Sequence, residues 1–370
     1  MKSEPSNRVT VSEPNGAGKC GWSHVAASAG AWLAVLHGHW PLATGGGERS
    51  MGDNRLPALA LVYEGALRRR VLAAALRVPA RRVGGGGAEM LAGPIKGRGL
   101  ARFRFGASRG SLPASVIAHM YEGSSRRGAE AFAIMKKLRR HGFDCNGGEG
   151  RIARPMVHVH RWRLTVREDA AGTALGGLAD EKQAEGAAAI GRLLARLHRA
   201  PLRLASAAAP PHASGLETLV ALAVEVMPYQ LAAIAGAHAD VRRDLAAMPG
   251  YETRLIHGDF QPRHLLIDGG NAVLLDCDGV GHGDPARDIG TFLAHLRLLS
   301  HSGGELWPDS ELAFLAAYGA LTPGLESRVI AYLKAELLTL ACQCAFSTRE
   351  RNLVRPLLSY VGDDVPVLAG

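Results

Sequence analysis

Apolar and polar residues alternate with two different periods in different parts of the chain. Residues 101–105 alternate strictly, and Ser115–Tyr121 are rich in β-branched and aromatic residues, so both segments are predicted to be strands. Residues 161–166 are a candidate for a third strand, and residues 129–140 carry apolar residues at helical spacing. The part of the chain that begins near residue 85 is therefore predicted to be strand-rich.

Helical periodicity dominates the second half of the chain. Residues 185–198 carry one apolar stripe, and residues 216–248 predict one or two further helices. Two short apolar runs at residues 265–267 and 272–275 interrupt this pattern. They flank the turn sequence Asp-Gly-Gly-Asn, which is typical of a β-hairpin. The second half is thus predicted to be helical with one embedded hairpin.

These patterns predict an α+β fold in three segments. Residues 1–84 are an unassigned N-terminal extension, partly helical or poorly ordered, with one predicted helix over residues 59–76. The glycine run at residues 84–87 is interpreted as a linker or wide turn. Residues 85–167 form the strand-rich segment, and residues 168–370 form the helical one.

The charge of the chain is uneven. Its 370 residues include 43 Lys and Arg against 34 Asp and Glu, and 47% are hydrophobic, which is enough for a buried core. The net charge is +6 over residues 1–84, +8 over residues 85–160 and −5 over residues 161–370. Neither aromatic interleaving nor a known binding module accompanies the basic residues, so nucleic acid is not expected as a partner.

Cysteine content and hydropathy indicate a cytoplasmic protein. The five cysteines form no paired C-x-x-C arrangement, and reduced thiols are the expected state. No apolar run approaches the roughly 20 residues of a membrane-spanning helix, so no membrane partner is expected. The oligomeric state stays open.

Candidate chemistry is concentrated in residues 256–289, which contain six aspartates, five of them outside the predicted hairpin. A hairpin brings together the loop before it and the residue after it, and here these positions hold Asp259 and Asp276. One such carboxylate could accept a proton from an attacking hydroxyl, while the other holds Mg²⁺. His264, five residues after Asp259, is a second candidate ligand.

The motifs of this segment resemble those of the aminoglycoside phosphotransferase and choline kinase-like family, a branch of the protein-kinase-like fold. They read His257-Gly258-Asp259, then His264, then Leu275-Asp276, then Gly283-Asp284-Pro285-Ala286-Arg287-Asp288-Ile289. The helix end at residues 194–201 (LARLHRAP) is similar to the family's L-x-x-L-H-x-x-P. The resemblance extends over about residues 93–360.

The resemblance implies a two-lobed fold, with a small strand-rich N-lobe and a larger helical C-lobe that carries a catalytic hairpin. It implies transfer of the γ-phosphoryl group of ATP (or GTP), with Mg²⁺, to a hydroxyl of a small molecule. Asp259 would orient or deprotonate that hydroxyl, and Asp276 would be the principal Mg²⁺ ligand with His264 beside it. Asp288 and His257 would be structural.

The resemblance also covers the predicted strand Ser115–Tyr121 and the helix that follows it. In the family this strand carries a phosphate-binding Lys, and His119 stands at that position here. His119 and Glu130, at the start of the following helix, would then contact the nucleotide.

Two positions depart from the family pattern. Histidine at position 119 lacks the permanent charge of Lys, and histidine at position 264 stands in place of Asn although Mg²⁺ prefers oxygen ligands. One hypothesis is that another cation replaces the Lys, with three candidates: Lys96, Arg98 and Arg109. The alternative is a catalytically silent relative that binds a nucleotide or a partner without transfer.

Overall fold

The computed structural model describes residues 58, 60–79, 83, 86–95, 98–105, 114–122, 126–144, 150–204, 213–301 and 308–362. The described chain forms two compact units. The first contains the described part of Pro41–Ala129 together with Pro155–Asp169, and the second contains Glu130–Arg154 and the described residues from Ala170 onward. Lys96, Arg109, Cys20 and Cys145 lie outside the described residues.

Helices and strands are both present in quantity, as the α+β prediction required. The helices of at least four residues are α1 (Ala60–Tyr63), α2 (Gly65–Leu76), α3 (Arg127–Arg140), α4 (Asp180–Arg199), α5 (Ala213–Val226), α6 (Leu231–Ala246), α7 (Pro285–His301), α8 (Pro308–Tyr318), α9 (Pro323–Ala345) and α10 (Val354–Ser359). The strands are β1 (Ala88–Ile95), β2 (Arg98–Arg104), β3 (Ser115–Tyr121), β4 (Arg151–Ile152), β5 (Pro155–Val159), β6 (Leu164–Glu168), β7 (Arg254–Ile256), β8 (Leu265–Asp268), β9 (Asn271–Leu274) and β10 (Gly281–Gly283).

The first unit is built on an antiparallel five-stranded sheet in the order β1-β2-β3-β6-β5. One face of this sheet is apolar, because every second residue of β2, β3 and β6 is buried there, Phe103 and Val166 among them. Leu61 of α1 and Leu72 of α2 belong to the same buried cluster. The two helices before residue 84 therefore complete the core of the sheet.

The opposite face of the sheet is polar. The register places Arg102 opposite Ile117 and Ile117 opposite Arg167, so these three side chains share a face. His119 and Thr165 form the neighbouring pair on that face. We call this surface the polar face; its members on β2, β3 and β6 include Arg98, Leu100, Arg102, Arg104, Ser115, Ile117, His119, Thr165 and Arg167.

The second unit is mainly helical. Helix α4 packs against α8, and α7 packs against α9. The predicted hairpin is confirmed as β8 and β9, whose turn residues Gly269 and Gly270 both have positive φ. Strand β4 pairs in parallel with β9, and β7 pairs with β10 in a separate two-stranded ribbon.

Two local predictions need correction. The strand predicted at residues 161–166 begins only at Leu164, because His160–Trp162 forms a 3₁₀ turn that ends at Arg163 in the left-handed region (φ 46°). Strand β1 was not predicted, because the interpretation of residues 84–87 as a linker placed no strand directly after them. The one or two helices predicted over residues 216–248 are observed as two, α5 and α6.

Two further expectations can be compared with the described residues. Cys277, Cys342 and Cys344 are buried and reduced, and burial raises the pKa of both Cys342 and Cys344 to about 12. Among the described helices, none alone has the length and apolar character to cross a membrane; one pair, Gly215–Val226 and Pro228–Ala246, passes on these two criteria but is bent by 116°.

Candidate active site

The loop between β7 and β8, residues 257–264, carries polar residues of the predicted site. The ladder of the hairpin continues past its strands, since the Leu275 amide donates to the His264 carbonyl at 2.9 Å. The next residue, Asp276, therefore emerges beside the loop. His257 joins the two segments directly, because its Nε2 lies 2.6 Å from the Asp276 carbonyl oxygen. The structure thus brings together Asp259, His264 and Asp276.

Asp288, in the first turn of α7, anchors the loop. Its fully buried carboxylate accepts hydrogen bonds from the backbone amides of His257 (2.6 Å) and Gly258 (2.8 Å). His198 Nε2 donates to the same carboxylate at 3.1 Å. Burial alone would raise the pKa of Asp288, but the hydrogen bond from His198 and the neighbouring donors outweigh it and lower the pKa. Asp288 sits where the structural role implied by the resemblance requires it.

Gly258 is required by the conformation of this loop. Its φ is +79°, and an added Cβ would lie 2.5 Å from the carbonyl oxygen of Gly279. Its own carbonyl accepts a hydrogen bond from Arg287 Nη2 at 2.7 Å. Buried Arg287 was not singled out from the sequence, although it stands inside the Gly283–Ile289 motif. The sequence offers only one indication of its role, which is that Arg287 lies between Pro285 and Asp288 of that motif.

His257 is held in one uncharged tautomer by its two contacts. The Asp276 carbonyl can only accept, so Nε2 carries the proton, while Nδ1 accepts from the Asp259 amide at 3.3 Å. The imidazole therefore fixes the backbone of both segments that carry candidate carboxylates. This geometry fits a structural role for His257.

The carboxylate of Asp259 is partly accessible, with 34% of its side chain exposed. Buried Gln261 donates a hydrogen bond from Nε2 to one carboxylate oxygen. Arg263 Nη2 lies 3.9 Å from the other oxygen. An oriented carboxylate with an accessible oxygen can accept a proton from a bound hydroxyl.

His264 presents one ring nitrogen for other contacts. Its Nδ1 lies 3.0 Å from the carbonyl oxygen of Asp259, which can only accept, so the proton is on Nδ1 and Nε2 carries the lone pair. Burial lowers the pKa of His264, which favours the neutral ring. Asp276 supplies oxygen ligands on the adjacent segment, and its Oδ1 accepts from the Asp278 amide at 3.0 Å.

The donor set of this site is small and mixed. Among the described residues, no group of three or more His, Cys, Asp or Glu side chains is arranged to hold a metal ion. Mg²⁺ typically keeps several waters and binds one or two carboxylates together with substrate phosphates. A carboxylate from Asp276 with a single nitrogen from His264 fits such a partly open site, provided that a nucleotide contributes further oxygens.

The predicted nucleotide contacts lie on the polar face and in α3. His119 Nε2 is 3.2 Å from Arg167 Nε, which can only donate, so this nitrogen of His119 is the acceptor. Arg167 was not singled out from the sequence, because its proximity to His119 depends on strand register. Glu130 lies exposed in the first turn of α3, and its contact with a nucleotide stays a prediction.

Comparison with known proteins identifies a matching family and a set of solved structures with a similar fold. A model described as the phosphotransferase enzyme family matches residues 97–329. Amicoumacin kinase hAmiN, solved with AMP-PNP and Ca²⁺, has a TM-score of 0.60 at 13% identity and covers 84% of this chain and 97% of its own. Among curated protein sequences, no significant match was found.

Two further solved structures share the architecture. The choline/ethanolamine kinase family protein from Mesorhizobium loti has a TM-score of 0.52 at 17% identity, covering 80% of this chain and 92% of its own. Spectinomycin phosphotransferase APH(9)-Ia, solved with ADP and spectinomycin, has a TM-score of 0.53 at 13% identity, covering 80% and 93%. At such identities the likeness establishes the fold alone, and the predicted kinase-like fold is confirmed.

Proposed function

This chain belongs to the phosphotransferase enzyme family, and from that premise we propose that it transfers the γ-phosphoryl group of ATP (or GTP) to a hydroxyl of a small molecule, with Mg²⁺. The observation that carries the proposal is the carboxylate of Asp259. It is accessible, oriented by Gln261, and set in a loop whose backbone is fixed by Asp288. Nucleic acid and membranes are not expected as partners, and the cytoplasm is the expected compartment.

In this proposal Asp259 acts on the acceptor. Its carboxylate accepts a hydrogen bond from the acceptor hydroxyl and takes up the proton as the oxygen forms a bond to the γ-phosphorus. The bond from that phosphorus to the β–γ bridging oxygen breaks, and the nucleoside diphosphate leaves with the electron pair. Because this transition state needs little covalent assistance, positioning and charge neutralisation are the main tasks of the protein.

Asp276 and His264 would hold the metal ion. Asp276 offers carboxylate oxygens, and His264 offers Nε2, which the hydrogen bond from Nδ1 to the Asp259 carbonyl keeps deprotonated. The bound ion would neutralise charge on the nucleotide phosphates. The hydrogen bond from His257 to the Asp276 carbonyl couples the position of these ligands to that of the loop.

The proposal is tested by a matched pair of carboxylate variants. Asp259→Asn removes the proton acceptor, and we expect phosphotransfer to fall by roughly 10²- to 10⁴-fold. Asp268→Asn changes a carboxylate at the far end of the same hairpin, 3.5 Å from Arg151, and should retain near wild-type activity. Transfer is measured with ATP and GTP over a panel of hydroxyl compounds.

The acceptor panel can start from the neighbours. It should contain amicoumacin, spectinomycin and choline, since the names of structurally similar proteins describe them as kinases or phosphotransferases of these compounds, or as members of such a kinase family. Transfer that is unchanged in Asp259→Asn would contradict the assignment of this residue.

The silent-relative hypothesis rests on the two histidines at positions 119 and 264. It predicts that ATP binds without metal dependence and that no acceptor is phosphorylated. Thermal unfolding of the wild-type chain with ATP, with and without Mg²⁺, separates the two hypotheses, because a ligand of the folded state raises the unfolding temperature. Metal-dependent stabilisation together with turnover supports the enzyme.

A further inference from the structure

We propose that Arg167 provides the phosphate-binding cation of this chain and that His119 positions it. The ligand class is a nucleoside polyphosphate, so the inference rests on the proposed function and deepens it. The site consists of the Arg167 guanidinium on β6 and the His119 imidazole on β3, both on the polar face.

Strand register places the two side chains together. Ile117 is opposite Arg167, and His119 is opposite Thr165, so His119 and Arg167 are diagonal neighbours on the same face. Two donors of the guanidinium define its position. Nε donates to His119 Nε2 at 3.2 Å, and Nη1 donates to the Glu168 carbonyl at 3.0 Å. The charge is therefore held next to position 119, where the family pattern has Lys.

The direction of the hydrogen bond decides which residue carries the charge. A guanidinium N–H can only donate, so the accepting nitrogen of His119 is deprotonated, with the proton on Nδ1. His119 in this state is neutral. Arg167 remains charged at any physiological pH. The positive charge that a Lys would bring to β3 thus comes from the adjacent strand.

The surroundings of Arg167 favour an anion. Arg167 is buried, with 5% of its surface exposed, and charges interact more strongly where water is excluded. The same face carries Arg98, Arg102 and Arg104. Arg102 pairs with Asp169 at 2.7 Å, and Arg104 pairs with Glu89 at 2.7 Å. Four guanidinium groups therefore share this face, and the one held beside position 119 is that of Arg167, while those of Arg102 and Arg104 are paired with carboxylates.

The experiment compares ATP with adenosine, the nucleoside that lacks the three phosphates. Arg167→Met should weaken the binding of ATP by roughly 10- to 100-fold, the loss of one charge-assisted interaction, and leave adenosine binding within a factor of two. Arg70→Met removes the same charge from α2, which lies on the apolar side of the sheet, and should change neither ligand. Titration calorimetry measures the affinities of the wild-type chain and of both variants for ATP and for adenosine.

His119 is tested as a positioning residue. The Gln side chain in His119→Gln offers a carbonyl oxygen to Arg167 Nε, whereas that in His119→Leu offers none. We expect the first variant to keep most of the ratio of ATP to adenosine affinity and the second to lower it. The double variant His119→Lys/Arg167→Met returns the cation to β3 and should recover ATP affinity relative to Arg167→Met.

Each result is decisive. Equal weakening of ATP and adenosine in Arg167→Met, or no weakening, overturns the inference, as does ATP binding no tighter than adenosine binding in the double variant. If Arg167→Met does not fold, the comparison of His119→Gln with His119→Leu, which both keep Arg167, tests the inference: an equal ratio of ATP to adenosine affinity in these two variants overturns it. A wild-type chain that binds no nucleotide overturns the proposed function and the inference with it.

Discussion

The loop at residues 257–264 and the polar face of the sheet use their polar residues in opposite ways. Two buried side chains of α7, Asp288 and Arg287, hold individual backbone atoms of the loop at 2.6–2.8 Å. On the polar face, guanidinium groups are paired with carboxylates that are themselves partly exposed, as in Arg104 with Glu89. The backbone of the loop is thus fixed by individual hydrogen bonds to buried side chains, whereas Arg102 and Arg104 of β2 are held by ion pairs that water can reach.

This difference explains where the family pattern is kept. Gly258 and Asp288 cannot be exchanged without moving the backbone that presents Asp259, and both match the family motif. A cation that meets phosphates can instead come from either of two adjacent strands. Under our proposal, His119 with Arg167 is such an exchange on the sheet.

The largest effect on stability is expected at Asp288. In Asp288→Asn one of the two acceptor oxygens becomes an NH₂ group that faces a backbone amide, and the contact with His198 weakens. We expect a loss of about 3 kcal/mol in the free energy of unfolding, since a buried charged partner is removed. Asp240→Asn changes a carboxylate that is 30% exposed and should cost less than about 0.5 kcal/mol. Denaturant unfolding measures both.

The same residue makes stability depend on pH. The pKa of Asp288 is lower in the folded chain than in the unfolded one, so the unfolded chain binds more protons in acid. Its contribution to stability is complete above about pH 4, the ordinary value for Asp, and is lost as the pH falls towards the folded pKa. The acid decline of the unfolding temperature should be shallower in Asp288→Asn; an identical decline would contradict this assignment.

A second effect, intermediate in size, is expected at Gly258. Gly258→Ala puts a Cβ 2.5 Å from the Gly279 carbonyl in a backbone conformation that disfavours side chains, and should cost about 2 kcal/mol. Gly269 also has a positive φ, +55°, but no atom lies within 4 Å of the Cβ that Gly269→Ala would add. This variant should therefore lose about 1 kcal/mol in the free energy of unfolding. Unfolding free energies test the ranking. Equal costs would show that the close approach to Gly279 is relaxed without penalty.

A smaller effect, confined to metal preference, is expected at His264. His264→Asn replaces the Nε2 donor with an amide oxygen, so we expect Mg²⁺ to gain several-fold on Mn²⁺ in supporting nucleotide-dependent stabilisation. His282→Asn is the matched control, since His282 Nε2 accepts from the Leu204 amide at 3.0 Å. Thermal unfolding with ATP at graded metal concentrations measures the preference. An unchanged ratio in His264→Asn would argue against His264 as a ligand.

The smallest effect is expected on the sheet. Arg104 and Glu89 are 59% and 44% exposed, and a surface ion pair of this kind contributes between zero and about 1 kcal/mol. Arg104→Met should therefore lower the unfolding free energy by less than about 1 kcal/mol. A loss as large as that of Gly258→Ala would remove the contrast between the hydrogen-bonded loop and the tolerant sheet face.

Sequence patterns reached the features that depend on neighbours along the chain. The hairpin follows from its Gly-Gly turn, and the apolar stripe of residues 185–198 falls within α4. Asp259 and Asp276 could be placed together because only the hairpin separates them. Strand β1 was not predicted, because the glycine and the proline within it disfavour a strand. Its pairing with β2, which includes a bulge, overrides that local preference.

Contacts that depend on register or on packing between distant segments were out of reach. Arg167 meets His119 only because of the pairing of β3 with β6, which no local pattern specifies. His198 belongs to the motif at residues 194–201, but its hydrogen bond to Asp288 joins residues that are 90 positions apart in the sequence. Such a contact depends on tertiary packing and has no local sequence pattern. The domain limits at residues 84 and 167 and the roles of the site residues stay predictions.

The packing of α1 and α2 on the sheet has a practical consequence for expressing this protein. The family match begins at residue 97, which invites a shortened gene that starts near residue 85. Such a product would leave Phe103, Val116 and Val166 without Leu61 and Leu72 above them. Contiguous apolar surface of this kind promotes aggregation. Soluble yield should therefore depend on a segment that lies wholly before the family match.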